Sequence, residues 1–160
     1  MARRDSRTTA VCDAWPVART YRLGRTRRLV NIVLTRLLRA GISADPHMYL
    51  LSVSGRRSGR TYTTPVILVE NGERFLVAPY GEVGWVRNAP AAGRVTLSRG
   101  RHHETVGFRQ VGPEESAPVL RSYLRRVRVV RPFFDVSPDS PLEAFAAEAT
   151  RHPVFLIERT

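Results

Sequence analysis

Two adjacent arginines, Arg56 and Arg57, sit in a turn reading SGRRSG (residues 54–59) between two runs that read as strands. A guanidinium carries a planar fork of donors that pairs with a carboxylate or phosphate at two points at once. Ser58 and Gly59 add a hydroxyl and open backbone to the turn, and Thr63, Thr64 and Pro65 follow on the return strand. Further on come APYG (residues 78–81) and WVRN (residues 85–88). The first is a glycine-containing loop whose backbone can approach a ligand, and the second heads a short helix whose first amides favour an anion. The chemistry these types and spacings suit is recognition of a long, flat, multiply anionic ligand. Alone, the arginine pair would be an ordinary charged hairpin turn. The hydroxyls and glycine loop beside it are what favour an anion site.

Other reactive side chains offer less. His102 and His103 are neighbours on a strand-like run, so they point to opposite faces and cannot chelate one metal together. No Cys, His and Asp spacing elsewhere completes a metal site, and none is expected. No Ser–His–Asp arrangement can be argued from spacing. Cys12 is the only cysteine, which excludes an intrachain disulfide, and it stands in an N-terminal stretch where a nucleophile is not expected.

The candidate residues need rigid carriers. Residues 47–54, 60–70 and 73–79 read as strands, with Asn71-Gly72 as the hairpin signal between the last two. A short helix spans 85–93 and stops at Gly93. Residues 94–99 and 101–111 form a second hairpin turning at Gly100. Pro113, Glu114 and Glu115 open a helix with Leu120, Tyr123, Leu124 and Val127 along one face. After a proline-containing connection over 131–138, Ser140 and Glu143 form a capping box with Pro141 at the first helical position. A last strand covers 153–158.

Upstream, Val30, Val33, Leu34, Leu37 and Leu38 recur at helical spacing, with Arg28, Arg36 and Arg39 elsewhere around the helix and Gly41 as its stop. That helix either lies across the β structure or, as a basic amphipathic helix, meets an anionic membrane surface. Residues 1–16 read as a flexible polar tail, leaving 17–160 as one domain with an N-terminal amphipathic helix. Hairpin-connected strands with helices between them predict a mainly β, α+β molecule: an antiparallel barrel with helices packed outside one core. A parallel dinucleotide fold is disfavoured, because the Asn-Gly hairpin is antiparallel and no GxGxxG follows a strand.

Composition sets the wider bounds. The 160 residues, 42% hydrophobic and 25% charged, are ordinary for a globular protein. The formal charge is +12 and every basic residue is Arg. That arginine bias fits a GC-rich coding sequence, while the charge itself favours an anionic partner. RNA is disfavoured, since no aromatic-rich RNP-like motif accompanies the arginines. No secretory signal or run of about 20 apolar residues is present, so a cytoplasmic protein is expected, peripheral at the inner membrane face if the helix binds lipid.

Residues 48–111 resemble the deazaflavin-dependent nitroreductase family, oxidoreductases that use coenzyme F-420 on a split β-barrel of the flavin-reductase and pyridoxamine-phosphate-oxidase type. The resemblance rests on LLSVSGRRSGRTYTTP, a hairpin, FLVAPYG, and WVRN before AAGRVTL, in that order. It implies that Arg56, Arg57 and Ser58 face the acidic tail of the coenzyme and that Thr64 and Pro65 lie against the ring. Ala78, Pro79, Tyr80 and Gly81 would contact ring and ribityl chain, with Trp85, Arg87 and Asn88 near the phosphate. Nitroimidazole-activating members differ in two places. Here the loop between Tyr80 and Trp85 is short, and the late segment that carries tyrosines in those members reads RPFFD. Nitro-drug activity and a late-segment tyrosine donor are therefore in question.

The resemblance implies a reductase passing hydride from reduced coenzyme F-420 to an electron-poor small molecule, a quinone, enone or nitro compound. Phe133 and Phe134 would form the apolar lid over that acceptor, and Tyr80 or Tyr123 would donate the proton if solvent does not. The alternatives are an FMN-binding barrel reductase and a non-catalytic carrier of the coenzyme or a lipid-like ligand. Monomer and homodimer both remain open.

Overall fold

A computed structural model describes residues 25–43 and 45–158, with side chains from residue 31 onward. The expected tail over 1–16, with Cys12, lies outside the described residues, as do the side chains of Arg28 and Val30.

Six strands close into an antiparallel barrel: β1 (Met48–Ser54), β2 (Thr61–Asn71), β3 (Glu73–Val77), β4 (Val95–Arg99), β5 (His102–Gln110) and β6 (Val154–Glu158). Their order around the barrel is β1-β2-β3-β6-β5-β4. The Asn-Gly hairpin forms, pairing Asn71 with Glu73 across Gly72. Only Gly72 takes a positive φ, of 76°, so Asn71 does not adopt the left-handed conformation that a two-residue I′ turn demands. The β4–β5 hairpin turns at Gly100 as expected, with Arg99 opposite His102.

The expected core is two clusters, on the two faces of the same sheet. Leu51, Leu68, Leu76, Leu97 and Phe155 fill the barrel interior. Phe75, Val77, Val154 and Leu156 face outward into a second cluster with Leu120, Leu124, Phe134 and Phe145. Because successive strand residues point to opposite faces, β6 must be apolar along its whole length, and its run VFLI is.

The outer cluster is covered by α3 (Pro113–Arg126), a 3-10 turn (Arg128–Phe133) and α4 (Leu142–Glu148). The prolines expected in an irregular connection over 131–138 are thus divided, with Pro132 inside the 3-10 turn. The expected capping box does not form. Pro141 holds the cap position of α4 with no side-chain bond to the helix. Ser140 Oγ instead accepts the Ser137 amide at 3.0 Å, closing the preceding turn.

Helix α1 (Arg25–Arg39) is anchored at its end, where the Gly100 amide donates to the Leu38 carbonyl at 3.0 Å. Leu38 is buried at 1% exposure, whereas Val33 at 54% and Leu37 at 39% stay outside. The apolar face read from the spacing is therefore divided between barrel and solvent. Helix α2 (Gly84–Ala92) ends as expected at Gly93, whose φ of 68° is left-handed and whose amide donates to Ala89.

Candidate functional site

Strand β2 pairs with β3 only from Leu68 onward. Its earlier half pairs with β1 alone, so an edge of the sheet is left open between β2 and the loop after β3. A cavity of about 770 Å³ lies along that opening. Thr63, Thr64, Pro65 and Ile67 form its β2 wall. Proline suits such an edge, since it has no N–H to leave unpaired. Thr63 is fixed by a hydroxyl contact with Ser52 at 3.0 Å.

At one end the β1–β2 turn contributes Gly55, Arg56, Arg57 and Ser58. The turn closes on itself through Gly55 N–H to the Arg60 carbonyl at 2.8 Å and Gly59 N–H to the Gly55 carbonyl at 2.9 Å. It is tied to α2 as well. Arg56 Nη1 donates to the Arg87 carbonyl at 3.3 Å, and the Arg56 amide donates to Asn88 Oδ1 at 3.4 Å. Arg57 is exposed and has no partner among the described residues.

Along the floor stand Pro79 and Tyr80 from the loop after β3, then Gly84, Trp85, Arg87 and Asn88 from the head of α2. No side chain caps α2, so the orphan amides of its first turn are available to a ligand. Trp85 leans on Phe155 of the barrel interior with centroids 5.5 Å apart, which fixes its ring. Tyr80 meets Phe133 edge-on at 5.0 Å.

The other end is aliphatic. Leu34 of α1, Met48, and Val127, Val129 and Val130 after α3 enclose it, with Asn31 and Tyr123 as its polar members. Tyr123 is buried at 4% exposure. Burial, and to a lesser degree neighbouring Tyr80, push its phenol well above the ordinary value, so it stays protonated across the neutral range.

Of the expected residues, the three turn residues, Thr64, Pro65, Pro79, Tyr80, Trp85, Arg87, Asn88 and Tyr123 come together around this one cavity. Ala78 and Gly81 belong to the loop but not to the lining. Ala78 is fully buried in the barrel cluster, its amide donating to the Pro153 carbonyl at 2.9 Å. The expected Phe133–Phe134 lid is corrected: neither ring lines the cavity. Phe134 is fully buried in the outer cluster and stacks on His152 at 3.9 Å, and Phe133 backs Tyr80 from outside. The aliphatic end was missed at the sequence level. Its signal is the run VRVV after α3, of which only Val127 is read from the sequence, on one face of the preceding helix. Among the described residues, no group of three His, Cys, Asp or Glu is placed to hold a metal ion.

Residues 25–136 match the F420H(2)-dependent quinone reductase family. The chain belongs to that family. The match runs from α1 through the 3-10 turn and includes every residue lining the cavity. This family member is an oxidoreductase that uses coenzyme F-420 to reduce a small-molecule acceptor. No curated protein matches the chain. Among solved structures, one described as a domain-swapped dimer is 19% identical with a TM-score of 0.53, covering 83% of this chain and 99% of its own. The protein Atu2129 (unknown function) from Agrobacterium tumefaciens str. C58 is 16% identical with a TM-score of 0.50, covering 89% and 59%. An F420-H2 dependent reductase, FDR-A, is 21% identical with a TM-score of 0.47, covering 71% and 96%. The quinone reductase fold here is the antiparallel split barrel, with its helices outside.

Proposed function

We propose that the cavity holds coenzyme F-420 lengthwise and the quinone at its aliphatic end. The observation that carries this reading is the polarity of this cavity. Arginines and a hydroxyl stand at the turn end, an uncapped helix start at the middle, and mostly aliphatic side chains, with the Asn31 amide and one buried phenol, at the far end. Arg56, Arg57 and Ser58 would hold the acidic tail, and the head of α2 with Arg87 and Asn88 the phosphate. Thr64, Pro65 and Tyr80 would bound the ring, with Ala78 and Gly81 shaping the loop behind it. When bound, the reduced coenzyme supplies the hydride. The chain's part is to orient ring and acceptor in contact and to keep water out, which Leu34, Met48, Val127 and Val130 do by their apolar surface. Tyr123, kept protonated, donates a hydrogen bond or a proton to the quinone oxygen.

The test is binding of purified protein, followed by absorbance, to coenzyme F-420, to a tail-less deazaflavin and to FMN side by side. Tight binding of the coenzyme, weaker binding of the tail-less ligand and weakest binding of FMN are expected. FMN binding as tight as the coenzyme would favour an ordinary flavin reductase.

Residues 17–160 are taken to act as one domain. The exposed Ile32, Val33, Leu37 and Ile42 beside Arg36 and Arg39 support weak peripheral attachment to an anionic lipid surface at the cytoplasmic face. No helix among the described residues is long and apolar enough to cross a membrane. Co-sedimentation with anionic but not neutral vesicles is the expected result. A homodimer is proposed on the dimeric description of one fold relative, and sedimentation velocity decides it.

A further inference from the structure

Behind the loop that carries Pro79 and Tyr80 lies a chain of charged side chains that the reading above does not use. Glu148 closes α4 and His152 precedes β6, and both are buried, at 3% and 4% exposure. Glu148 Oε2 and His152 Nε2 are 3.1 Å apart. Arg151 Nη2 contacts the other carboxylate oxygen, Oε1, and the same nitrogen lies 2.6 Å from Asp135 Oδ2. A carboxylate buried this deeply is costly, and such pairs seldom exceed a well-packed apolar substitute in stability. Their better-attested use is to select one geometry.

The geometry selected here is that of the loop beneath the ring. The backbone joining Arg151 to Pro153 is laid against residues 78–81. The Ala78 amide donates to the Pro153 carbonyl at 2.9 Å. A Cβ on Gly81 would stand 3.1 Å from the Arg151 carbonyl, so the two backbones touch there. From the other side, Asp135 ends the segment whose Phe133 backs Tyr80 edge-on at 5.0 Å and whose Phe134 stacks on His152 at 3.9 Å. Arg151 thus joins the two pieces of chain that support the Tyr80 loop: the approach to β6, and the segment after the 3-10 turn.

We infer that Arg151, held between Glu148 and Asp135, is a positioning residue for the coenzyme ring. It touches neither coenzyme nor quinone, and it acts by fixing the loop that carries Pro79 and Tyr80. This inference rests on the coenzyme placement proposed above. Mispositioning a reacting group by a fraction of its contact distance costs rate steeply, so the support matters to turnover as well as to affinity.

The test compares Arg151→Met with Arg151→Lys in the full chain, on samples shown by circular dichroism to be folded at the assay temperature. Dissociation constants for coenzyme F-420 and for a tail-less deazaflavin are measured with kcat and KM for a soluble quinone. Arg151→Met should weaken both deazaflavins by the same factor, about fivefold or more, and lower kcat with little change in quinone KM. Nη2 makes a close contact to each of the two carboxylates, so a lysine ammonium, a point charge between them, should restore affinity to within about twofold of wild type. If Arg151→Met does not fold, Glu148→Gln/Arg151→Met leaves no buried carboxylate unpaired and takes its place. Deazaflavin affinities unchanged within about twofold in a folded methionine variant overturn the inference, even if its melting temperature falls. So does a lysine variant as weak as the methionine one. Alanine at Arg57 alone serves as the control. If that change selectively weakens the tailed coenzyme while Arg151→Met does nothing, only this inference falls. If wild type binds neither deazaflavin, the coenzyme placement falls and takes this inference with it.

Discussion

Arg56 and Arg57 are adjacent in sequence but unequal in the structure. Arg56 ties the turn to α2 through the Arg87 carbonyl and Asn88, while Arg57 has no partner among the described residues. Exposed charge contacts are each worth only about 1 kcal/mol, so Arg57→Ala should cost roughly fivefold in coenzyme affinity. It should leave the tail-less deazaflavin unaffected, and the loss should shrink in high salt. Arg56→Ala should weaken both ligands, because it also frees the turn from α2. Parallel titrations of the two ligands separate these outcomes. Tyr123 is a residue of a different kind. With its phenol pushed up by burial, it remains a donor through neutral pH, so the quinone reaction should show no titration of this group between about pH 6 and 9. Tyr123→Phe should slow single-turnover quinone reduction by roughly ten- to a hundredfold while coenzyme affinity holds. The anionic-ligand residues were legible because guanidinium, hydroxyl and glycine types declare their chemistry within a short window. Val127, Val129 and Val130 were not, since an aliphatic side chain reads alike whether it faces a core or a ligand. Phe133 and Phe134 were misread for the same reason. Only the tertiary fold turns Phe134 onto His152 and away from the cavity.

At the scale of elements, two junctions carry the site. The first is the contact between the end of α1 and the β4–β5 turn. Gly100 has a φ of 58°, and a Cβ there would stand 3.1 Å from the Gly41 Cα, a backbone atom that cannot swing aside. Gly100→Ala should destabilise the protein by roughly 1–3 kcal/mol in urea unfolding. It should also raise the quinone KM, because Leu34 on α1 walls the acceptor end. The second junction is α4 to β6. Burial acts to raise the Glu148 carboxyl, but its contacts with His152 and Arg151 outweigh that and hold it below the ordinary carboxylate value. A lowered folded value means stability that is fully present above the ordinary carboxylate range and lost as acid protonates the folded form. The stability advantage of wild type over Glu148→Gln, read from urea midpoints, should therefore be largest near neutral pH and shrink as the pH falls through that range. The strands and hairpins were legible from alternation and turn chemistry. The capping box was not realised, because Ser140 closes its own turn with Ser137, a competition that local pattern cannot resolve.

At the scale of the whole molecule, the barrel is closed around its interior yet opened along half of β2, and the cavity occupies that opening. The antiparallel fold could be read from two hairpins. That the sheet would be covered on both faces was implicit in the unbroken apolar run of β6, which alternation alone does not explain. The central claim is that this cavity brings reduced coenzyme F-420 and a quinone together. Its most direct test is stopped-flow oxidation of the reduced coenzyme by a soluble quinone, with and without protein, following the return of oxidised deazaflavin absorbance. The predicted result is oxidation much faster than that of the free coenzyme, saturating with protein, slowed in Tyr123→Phe, and needing more coenzyme for half-maximal rate in Arg57→Ala. Bound coenzyme that is oxidised no faster than free coenzyme would contradict the account and leave a carrier in its place.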